Sequence, residues 1–413
     1  MSEHTPRRRP SMLERRELLR LLGGAALTAP LLPVGRLYAA PLTGPRFLLV
    51  FLRGGYDAAN FLIPYASDFY YESRPRIAIA RPDPAAGAGA LALDASWALA
   101  PAVRDTIGTL YQQRQALFIP FAGTDDLSRS HFETQDSIEL GQPSQGRRNY
   151  SSGFLGRLSQ ALTGTGAAAP IAFTDALPLV FQGGPAIPNL SLRNVGKAAF
   201  DERQSQLLDR MYAGHRLEPA VRDGLELRQE VAQEMAQEMQ AANRNAINAK
   251  GFELEAERMG RLMRERFRLG FIDVGGWDTH VNEGATQGAL AGNLSNLGRG
   301  LATFAETLGT EWRNTVVVVV SEFGRTFREN GNRGTDHGHG SVYWVLGGAV
   351  AGGRIAGEQQ RIARDTLFQD RDYPVLNDYR AILAGLFRTL WGLSAAQCAG
   401  VFPSTTPLEL GLV

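Results

Sequence analysis

The chain has 413 residues, of which 44% are hydrophobic and 21% are charged, a composition typical of a folded protein with a full hydrophobic core. Its 43 basic and 42 acidic residues leave a net charge of +1, so the composition shows no electrostatic footprint for nucleic acid or an anionic membrane surface. The single cysteine, Cys398, excludes an intrachain disulfide and a thiolate zinc cluster, and we expect it to be a small buried residue.

The first forty residues resemble a cleaved export signal. An arginine-rich segment precedes an apolar run at residues 18–34, which prolines and glycines interrupt, and small residues precede Pro41. The run is too short and too interrupted for a membrane-spanning helix, and RRELLR at 15–20 resembles the twin-arginine motif. We predict a twin-arginine signal peptide at residues 1–40, the twin-arginine export machinery as partner, a periplasmic or extracellular location, and no stable membrane span after cleavage. The alternative is a basic, disordered tail.

Short apolar segments that alternate with helical segments predict an α/β fold for the rest of the chain. Residues 47–52 (FLLVFL) and 116–121 (ALFIPF) are predicted strands buried on both faces, and 171–173 is a weaker strand. Residues 101–113 and 131–140 have helical periodicity. This alternation predicts three layers, with a mostly parallel central sheet and helices on both of its faces.

A long helical segment interrupts this alternation. Residues 201–266 have an almost wholly helical, charged and amphipathic pattern, which predicts a helical insertion over the sheet within a single domain at 41–413. A coiled-coil dimerisation arm is the alternative, although heptads are not sustained. The α/β pattern then resumes, with predicted strands at 267–272, 316–320 (VVVVV) and 342–346 (VYWVL), helices at 288–308 and 379–391, and glycine- and proline-rich surface loops at 82–89 and 143–153.

The segment DVGGWDTH, which follows a predicted strand, carries two candidate metal ligands. Asp278 and His280 are two residues apart, so their side chains lie on one side of an extended segment. Ligands bind at strand ends in open α/β sheets, and a carboxylate beside an imidazole suits a divalent metal. The alternative is a loop in which Asp278 caps a turn and His280 is exposed.

A second cluster surrounds the valine strand and the strand after it. Glu322 lies directly after the valine strand, and Asp336, His337 and His339 precede the next strand in the segment TDHGHGS. Two histidines and an aspartate within four residues, flanked by glycines that let the backbone approach an ion, favour metal ligation over an isolated structural histidine. Imidazole ligands favour zinc or manganese over calcium.

Two further segments carry polar residues close to predicted strands. Ser130, in SRSHFE, lies at a predicted helix start, where it is either an N-cap, with Glu133 completing a capping box, or an activated hydroxyl beside free backbone amides. These alternatives stay open. Asp57, in LRGGYDAAN, lies in a glycine turn after the first strand, and this turn lacks the third glycine of a dinucleotide fingerprint.

Together, the segments LRGGYDAAN, SHFETQD, DVGGWDTH, SEFGRT and GTDHGHGS resemble a family of exported proteins, the domain-of-unknown-function 1501 family, over nearly the whole chain. That family is similar to the alkaline phosphatase and sulfatase superfamily, whose sheet carries one or two metals at the carboxyl ends of its strands. The resemblance implies an alkaline phosphatase-like fold and metal ligation by a set of residues matching the superfamily's, namely Asp57, Asp278, His280, Glu322, Asp336, His337 and His339.

The resemblance also implies a reaction. Ser130 would match the nucleophile, with Ser128 a weaker candidate, and Asp273 is an alternative ligand because the Asp278–His280 spacing is shorter than usual. Phe323 stands where the superfamily commonly has a ligand histidine. A divalent ion would activate the Ser130 hydroxyl or a water, while Arg325 or Arg129 would hold an oxyanion.

The expected function is therefore that of an exported metal-dependent hydrolase of phosphate, sulfate or related esters. Its substrate would be a small-molecule or polymer-borne ester, and no nucleic acid is expected as a partner. The alternative is a non-catalytic, metal-stabilised binding or assembly protein that uses the same fold.

Overall fold

The computed structural model describes residues 44–83, 89–163, 168–192, 207–208, 210–219, 221–224 and 252–413. The predicted signal peptide and most of the predicted helical insertion lie outside these residues. The described strands are β1 (Arg46–Leu52), β2 (Leu62–Ile63), β3 (Leu91–Ala92), β4 (Ala98–Leu99), β5 (Ala116–Gly123), β6 (Pro170–Ala172), β7 (Leu269–Val274), β8 (Thr315–Ser321), β9 (Ser341–Leu346), β10 (Arg354–Ile355) and β11 (Asn377–Asp378). Among the described residues the α-helices include α1 (Asp68–Ser73), α2 (Thr109–Gln112), α3 (His131–Leu140), α4 (Phe154–Ala161), α5 (Phe252–Glu265), α6 (Ala289–Leu308), α7 (Tyr379–Trp391) and α8 (Ala395–Val401).

The main sheet is mostly parallel, as predicted, with one reversed strand. Its strand order is β10-β5-β9-β8-β1-β7-β6, and β11 also pairs with β5. Strand β1 is parallel to both of its neighbours, β7 and β8, whereas β9 is antiparallel to β8 and β5. The chain from β8 to β9 contains no helix, and antiparallel strands need no helical crossover between them. A separate small sheet has the order β2-β4-β3.

Helices cover both faces of this sheet. The side chains of β1 alternate between two cores: even-numbered residues face the core that includes residues of α5 and α6, and odd-numbered residues face the core that includes residues of α4 and α7. This explains the unbroken apolar sequence of β1 after Arg46, because each of these side chains is buried on one face or the other. Burial of each large apolar side chain contributes about 1.5–3 kcal/mol.

The predicted helix at 101–113 is not a single α-helix. Its residues form a 3-10 turn at Pro101–Val103, a π-helix at Arg104–Gly108 and then α2. Val103 and Ile107 are fully buried. The apolar spacing in the sequence therefore predicts the buried face correctly. It does not predict the backbone hydrogen bonds, which change from 3-10 to π to α along the segment.

The other predicted strands and helices that fall within the described residues lie close to their predicted positions, whereas β2, β3, β4, β10, β11, α1, α4 and α8 were not predicted. Cys398 is buried as expected. The described part of the predicted insertion includes α5, whose apolar residues pack into the same core as α6. The described residues belong to one compact unit, Leu42–Val413, and none of their helices is both long and apolar enough to cross a membrane.

The sheet topology gathers the polar segments at one edge. Strands β1, β7 and β8 run in the same direction, so the segments that follow Leu52, Val274 and Ser321 all leave the sheet from the same side. Strand β5 runs in this direction too, because it is antiparallel to β9, and it leads to α3. Since β9 is reversed, its first residue, Ser341, lies at that edge and brings residues 335–340 to it.

Candidate metal centre

Three side chains from separate segments come together at this edge. His131 begins α3, Asp278 lies in the loop after β7, and His337 lies in the loop before β9; their ligand atoms all lie within 4.8 Å of one another. His131 Nε2 is 3.4 Å from Asp278 Oδ2, and His337 Nε2 is 3.3 Å from Asp278 Oδ1. His280 joins them, with Nε2 2.9 Å from Asp278 Oδ1 and 3.0 Å from His337 Nε2.

The Nδ1 atoms of His131, His280 and His337, which face away from Asp278, each lie close to an oxygen that accepts hydrogen bonds. An ionised carboxylate or a carbonyl has no proton to donate, so Nδ1 carries the ring proton and a neutral ring presents a lone pair on Nε2. The Nδ1 contacts are His131 with Glu322 Oε1 at 2.9 Å, His280 with Asp336 Oδ1 at 3.1 Å, and His337 with the Arg129 carbonyl at 3.0 Å.

These contacts make the centre a good fit for a divalent cation. The Nε2 atoms of His131, His280 and His337 converge on the Asp278 carboxylate, and in their neutral form these imidazoles would direct lone pairs at a cation bound beside it. Imidazoles whose second nitrogen donates to a carboxylate or carbonyl are typical metal ligands. The Asp278 side chain is 42% exposed, so the centre is open to solvent on one side.

Glu322, a predicted metal ligand, contacts His131 at Nδ1, the ring nitrogen that does not face Asp278. It is fully buried, and its Oε1 accepts hydrogen bonds from Gly54 N at 2.8 Å and Gln135 Nε2 at 2.9 Å as well as from His131. Burial raises the pKa of Glu322, but the hydrogen bonds from His131 and Gln135 more than offset this and leave its pKa below the ordinary value. The hydrogen bond to Glu322 is also the largest cause of the raised pKa of His131. Glu322 is therefore placed to orient His131.

Arg325, a predicted oxyanion-binding residue, is hydrogen-bonded to Asp278. Its side chain is fully buried, and Nη1 lies 2.6 Å from Asp278 Oδ1, while Nε donates to Thr335 Oγ1 at 3.2 Å. Burial raises the pKa of Asp278, but the hydrogen bond and charge of Arg325, together with the nearby His280 and His131, outweigh this effect, so the net pKa is lowered. The structure thus places Arg325 where it orients a candidate ligand and keeps it ionised.

Asp57 forms a buried ion pair rather than a contact with the three clustered ligands. Both of its carboxylate oxygens accept hydrogen bonds from Arg74. Burial raises the pKa of Asp57, whereas the charge and hydrogen bonds of Arg74 lower it. The net pKa lies below the ordinary value. The neighbouring Glu283, also fully buried, accepts from the hydroxyls of Thr279 at 2.9 Å and Thr335 at 3.0 Å. Burial and the adjacent Asp57 raise the pKa of Glu283 well above its ordinary value, which favours the protonated form of Glu283 beside the ionised Asp57.

The remaining candidates occupy several positions around the centre. His339 is buried against the Phe368 ring, and burial followed by the charge of Arg129 lowers its pKa to about 4. The structure therefore brings His337 to Asp278 and places His339 elsewhere. Asp336 contacts the centre through His280. The alternative ligand Asp273 pairs with Arg53 at 2.7 Å.

The capping-box alternative for Ser130 is not formed in the structure. Ser130 occupies the N-cap position of α3, but its side chain makes no cap hydrogen bond. Its backbone amide donates instead to Ser128 Oγ at 3.3 Å, which occupies the donor that Glu133 would have bound. The Ser130 hydroxyl is thus not engaged as a cap, and it belongs to the residue directly before His131.

A close backbone approach explains the glycine pair after β1. Gly54 has φ +128°, and a Cβ there would lie 2.7 Å from the backbone nitrogen of Asp278. Only a residue without a side chain allows the turn after β1 to pack this closely against the loop that carries Asp278.

Sequence reasoning missed His131 and Glu283. His131 lies in the SHFETQD segment, where the adjacent Ser130 was the predicted functional residue, as a helix cap or a nucleophile. The available signal was that His131 lies in the first turn of the helix after strand β5. In open α/β sheets, ligands bind at the edge where such helices begin. Glu283 lies three residues after the end of DVGGWDTH, and its burial beside Asp57 follows only from the folded chain.

Fold and site together define an α/β protein with a mostly parallel sheet and a histidine–carboxylate cluster at the strand ends. The chain belongs to the family described as "Protein of unknown function (DUF1501)", whose model matches residues 45–401. This confirms the family resemblance found in the sequence. A comparison with curated proteins finds no significant match.

Solved structures with a similar arrangement have low sequence identity to this chain. One is Ps i-CgsB in complex with k-i-k-neocarrahexaose, with 12% identity, a TM-score of 0.37, and coverage of 86% of this chain and 74% of that one. Another is a protein in the alkaline phosphatase superfamily from Vibrio parahaemolyticus, with 10% identity, a TM-score of 0.32, and coverage of 74% and 60%.

Proposed function

We propose that the protein is a metal-dependent hydrolase of phosphate, sulfate or related esters, with His131, Asp278 and His337 as metal ligands and His280 as a further ligand. The convergence of three imidazole Nε2 atoms on one carboxylate supports this proposal most directly. Nitrogen and carboxylate donors suit zinc or manganese better than calcium. A divalent ion held there would polarise the ester and lower the pKa of an attacking hydroxyl or water.

The surrounding residues hold this ligand set in place. Glu322 orients His131, and Arg325 orients Asp278 and keeps it ionised. The carbonyl of Arg129 orients His337 in the same way, and the carboxylate of Asp336 orients His280. Such outer contacts fix the tautomer and direction of a ligand before the metal binds, which raises affinity.

Ser130 is the proposed nucleophile. Its hydroxyl is not used as a helix cap, and it neighbours the ligand His131. In the proposed reaction, Ser130 Oγ forms a bond to the central atom of the ester while the bond to the leaving oxygen breaks. The leaving alcohol takes up the proton, and water then releases the acid from the serine. The backbone amides of the first turn of α3 favour an anionic group at this position.

A comparison of metal-stripped and reloaded protein tests this function. The full chain is treated with a chelator and assayed on aryl phosphates, sulfates and carboxylic esters, before and after addition of zinc or manganese, with Asp278→Asn as the matched variant. We expect hydrolysis to disappear on stripping and to return on reloading only in the wild type. Metal binding without turnover on any ester would favour the non-catalytic binding or assembly protein instead.

We also propose export by the twin-arginine route to the periplasm or beyond the cell, which the amino-terminal sequence alone supports. Replacing Arg15 and Arg16 with lysine is expected to retain the full-length precursor in the cytoplasm. Unchanged delivery of the mature protein, measured by fractionation and immunoblotting, would refute this route.

A further inference from the structure

We propose that Arg129 and Asp372 act as a clamp that positions the candidate metal ligand His337, so that metal affinity depends on a loop that supplies no ligand itself. This inference rests on the metal site proposed above. It assigns a positioning role to the loop at residues 368–372, for which the sequence offered no expectation.

The first observation is the backbone conformation of Arg129. Its φ of +52° lies in the left-handed region, which a residue with a side chain adopts at a cost in free energy. In this conformation its carbonyl accepts the hydrogen bond from His337 Nδ1 at 3.0 Å. The strained residue is thus the one whose carbonyl sets the tautomer and direction of the imidazole.

The second observation is the way the Arg129 side chain is held. Its Nε lies 2.9 Å from Asp372 Oδ2 and its Nη2 lies 2.6 Å from the same oxygen, while Nη2 also donates to Gln369 Oε1 at 2.7 Å. The guanidinium also lies over the Phe368 ring. Contacts on several sides keep the guanidinium in one place and so restrain the backbone to which it is attached.

The third observation is that Asp372 is buried at a cost. Its side chain is fully buried, and its second oxygen, Oδ1, has no hydrogen-bond partner among the described residues. Burial also raises its pKa, although Arg371 and Arg129 oppose this effect. A half-satisfied buried carboxylate is unfavourable for stability, and its position beside a strained residue that contacts a candidate ligand indicates a functional reason for it.

The clamp is anchored next to the segment that orients a second ligand. The backbone of Asp372 pairs with that of Thr326, and Thr326 directly follows Arg325, which binds Asp278. The backbone of Arg325 pairs in turn with that of His337. The loop at 368–372 and the segment after β8 therefore jointly hold two of the proposed ligands.

The test measures metal affinity in the full chain by competition with a chromophoric chelator, together with the absorption spectrum of the cobalt-substituted protein. Asp372→Ala is expected to weaken zinc binding by about 10- to 100-fold and to change the cobalt spectrum. Arg328→Ala is the matched control, because Arg328 pairs with Asp370 in the same loop but is partly exposed. It is expected to leave both readouts unchanged.

Two replacements of Arg129 separate positioning from general packing. Both Arg129→Ala and Arg129→Gly lose the clamp, but glycine adopts a left-handed backbone without strain. We expect Arg129→Gly to retain tighter zinc binding than Arg129→Ala, a difference that loss of the side chain alone would not produce. Wild-type affinity and spectrum in a folded Asp372→Ala protein would overturn the clamp but leave the metal site standing. A wild type that binds no metal would overturn both.

Discussion

At the residue scale, the hydrogen-bond partner of Nδ1 separates the candidate ligand His337 from the buried His339. His337 donates from Nδ1 to a carbonyl and directs Nε2 at Asp278, whereas His339, two residues later, is buried beside Arg129 with its pKa lowered to about 4. The sequence Asp-His-Gly-His indicated a metal site but did not distinguish these two histidines, because the distinction depends on contacts with residues about 60 and 200 positions away.

Ser130 gives a prediction that separates stability from turnover. Because its side chain makes no cap hydrogen bond, Ser130→Ala is expected to change the free energy of unfolding by less than the cost of about 1 kcal/mol that is typical of a lost cap. If Ser130 is the nucleophile, kcat on the best ester substrate falls by at least about 1,000-fold while metal remains bound. Unchanged kcat in this variant would make water the attacking group.

Glu283 gives a prediction about pH. Its pKa in the folded protein is raised, by burial and by Asp57, well above the ordinary value of 4.5. Between these two pKa values the folded chain keeps a proton that the unfolded chain releases, so stability falls as pH rises through this window. Glu283→Gln keeps the shape without the titration, so its stability relative to wild type should increase as pH rises above about 4.5.

The measurement for Glu283 is urea unfolding of both proteins at a series of pH values. Thr279→Val provides a comparison, because it removes one hydrogen bond to Glu283 but leaves the carboxyl group in place. A difference between Glu283→Gln and wild type that is independent of pH would show that Glu283 does not hold the proton.

At the scale of elements, the orientation of β9 decides which segments meet. Apolar segments in the sequence predicted β8 and β9 with nearly correct bounds, but a strand that is buried on both faces carries no mark of its direction. The reversal of β9 brings His337 to the edge where β5 and β7 end, and so close to His131 and Asp278. The sequence therefore predicted the segments of the site, and only the topology shows how they combine.

The turn after β1 gives a prediction at this scale. A Cβ at Gly54 would collide with the backbone before Asp278, so Gly54→Ala is expected to destabilise the fold by about 2–4 kcal/mol and to weaken metal binding. Gly146→Ala is the matched control, since Gly146 also has a positive φ, +106°, but has nothing within 4 Å of its Cβ position. Equal effects in urea unfolding and metal titration would show that the close approach is unimportant.

At the scale of the whole molecule, the layered α/β architecture followed from the sequence because buried strands and amphipathic helices leave strong apolar patterns. The sequence did not predict the π-helix at Arg104–Gly108, because the same apolar spacing fits more than one helical hydrogen-bond pattern. The burial of Asp57 with Arg74 and Glu283 was likewise beyond sequence reasoning. The resemblance implied that Asp57 ligates metal, and that role remains a prediction, although the structure places this residue in an ion pair.

The metal content of purified full-length protein tests the central claim most directly. Bound zinc and manganese are measured by mass spectrometry in the wild type, in His337→Ala, and in His339→Ala as the matched control two residues away. We predict a bound divalent ion in the wild type and in His339→Ala, and its loss in His337→Ala. Full retention of metal by His337→Ala, or loss of metal from His339→Ala alone, would contradict the proposed centre.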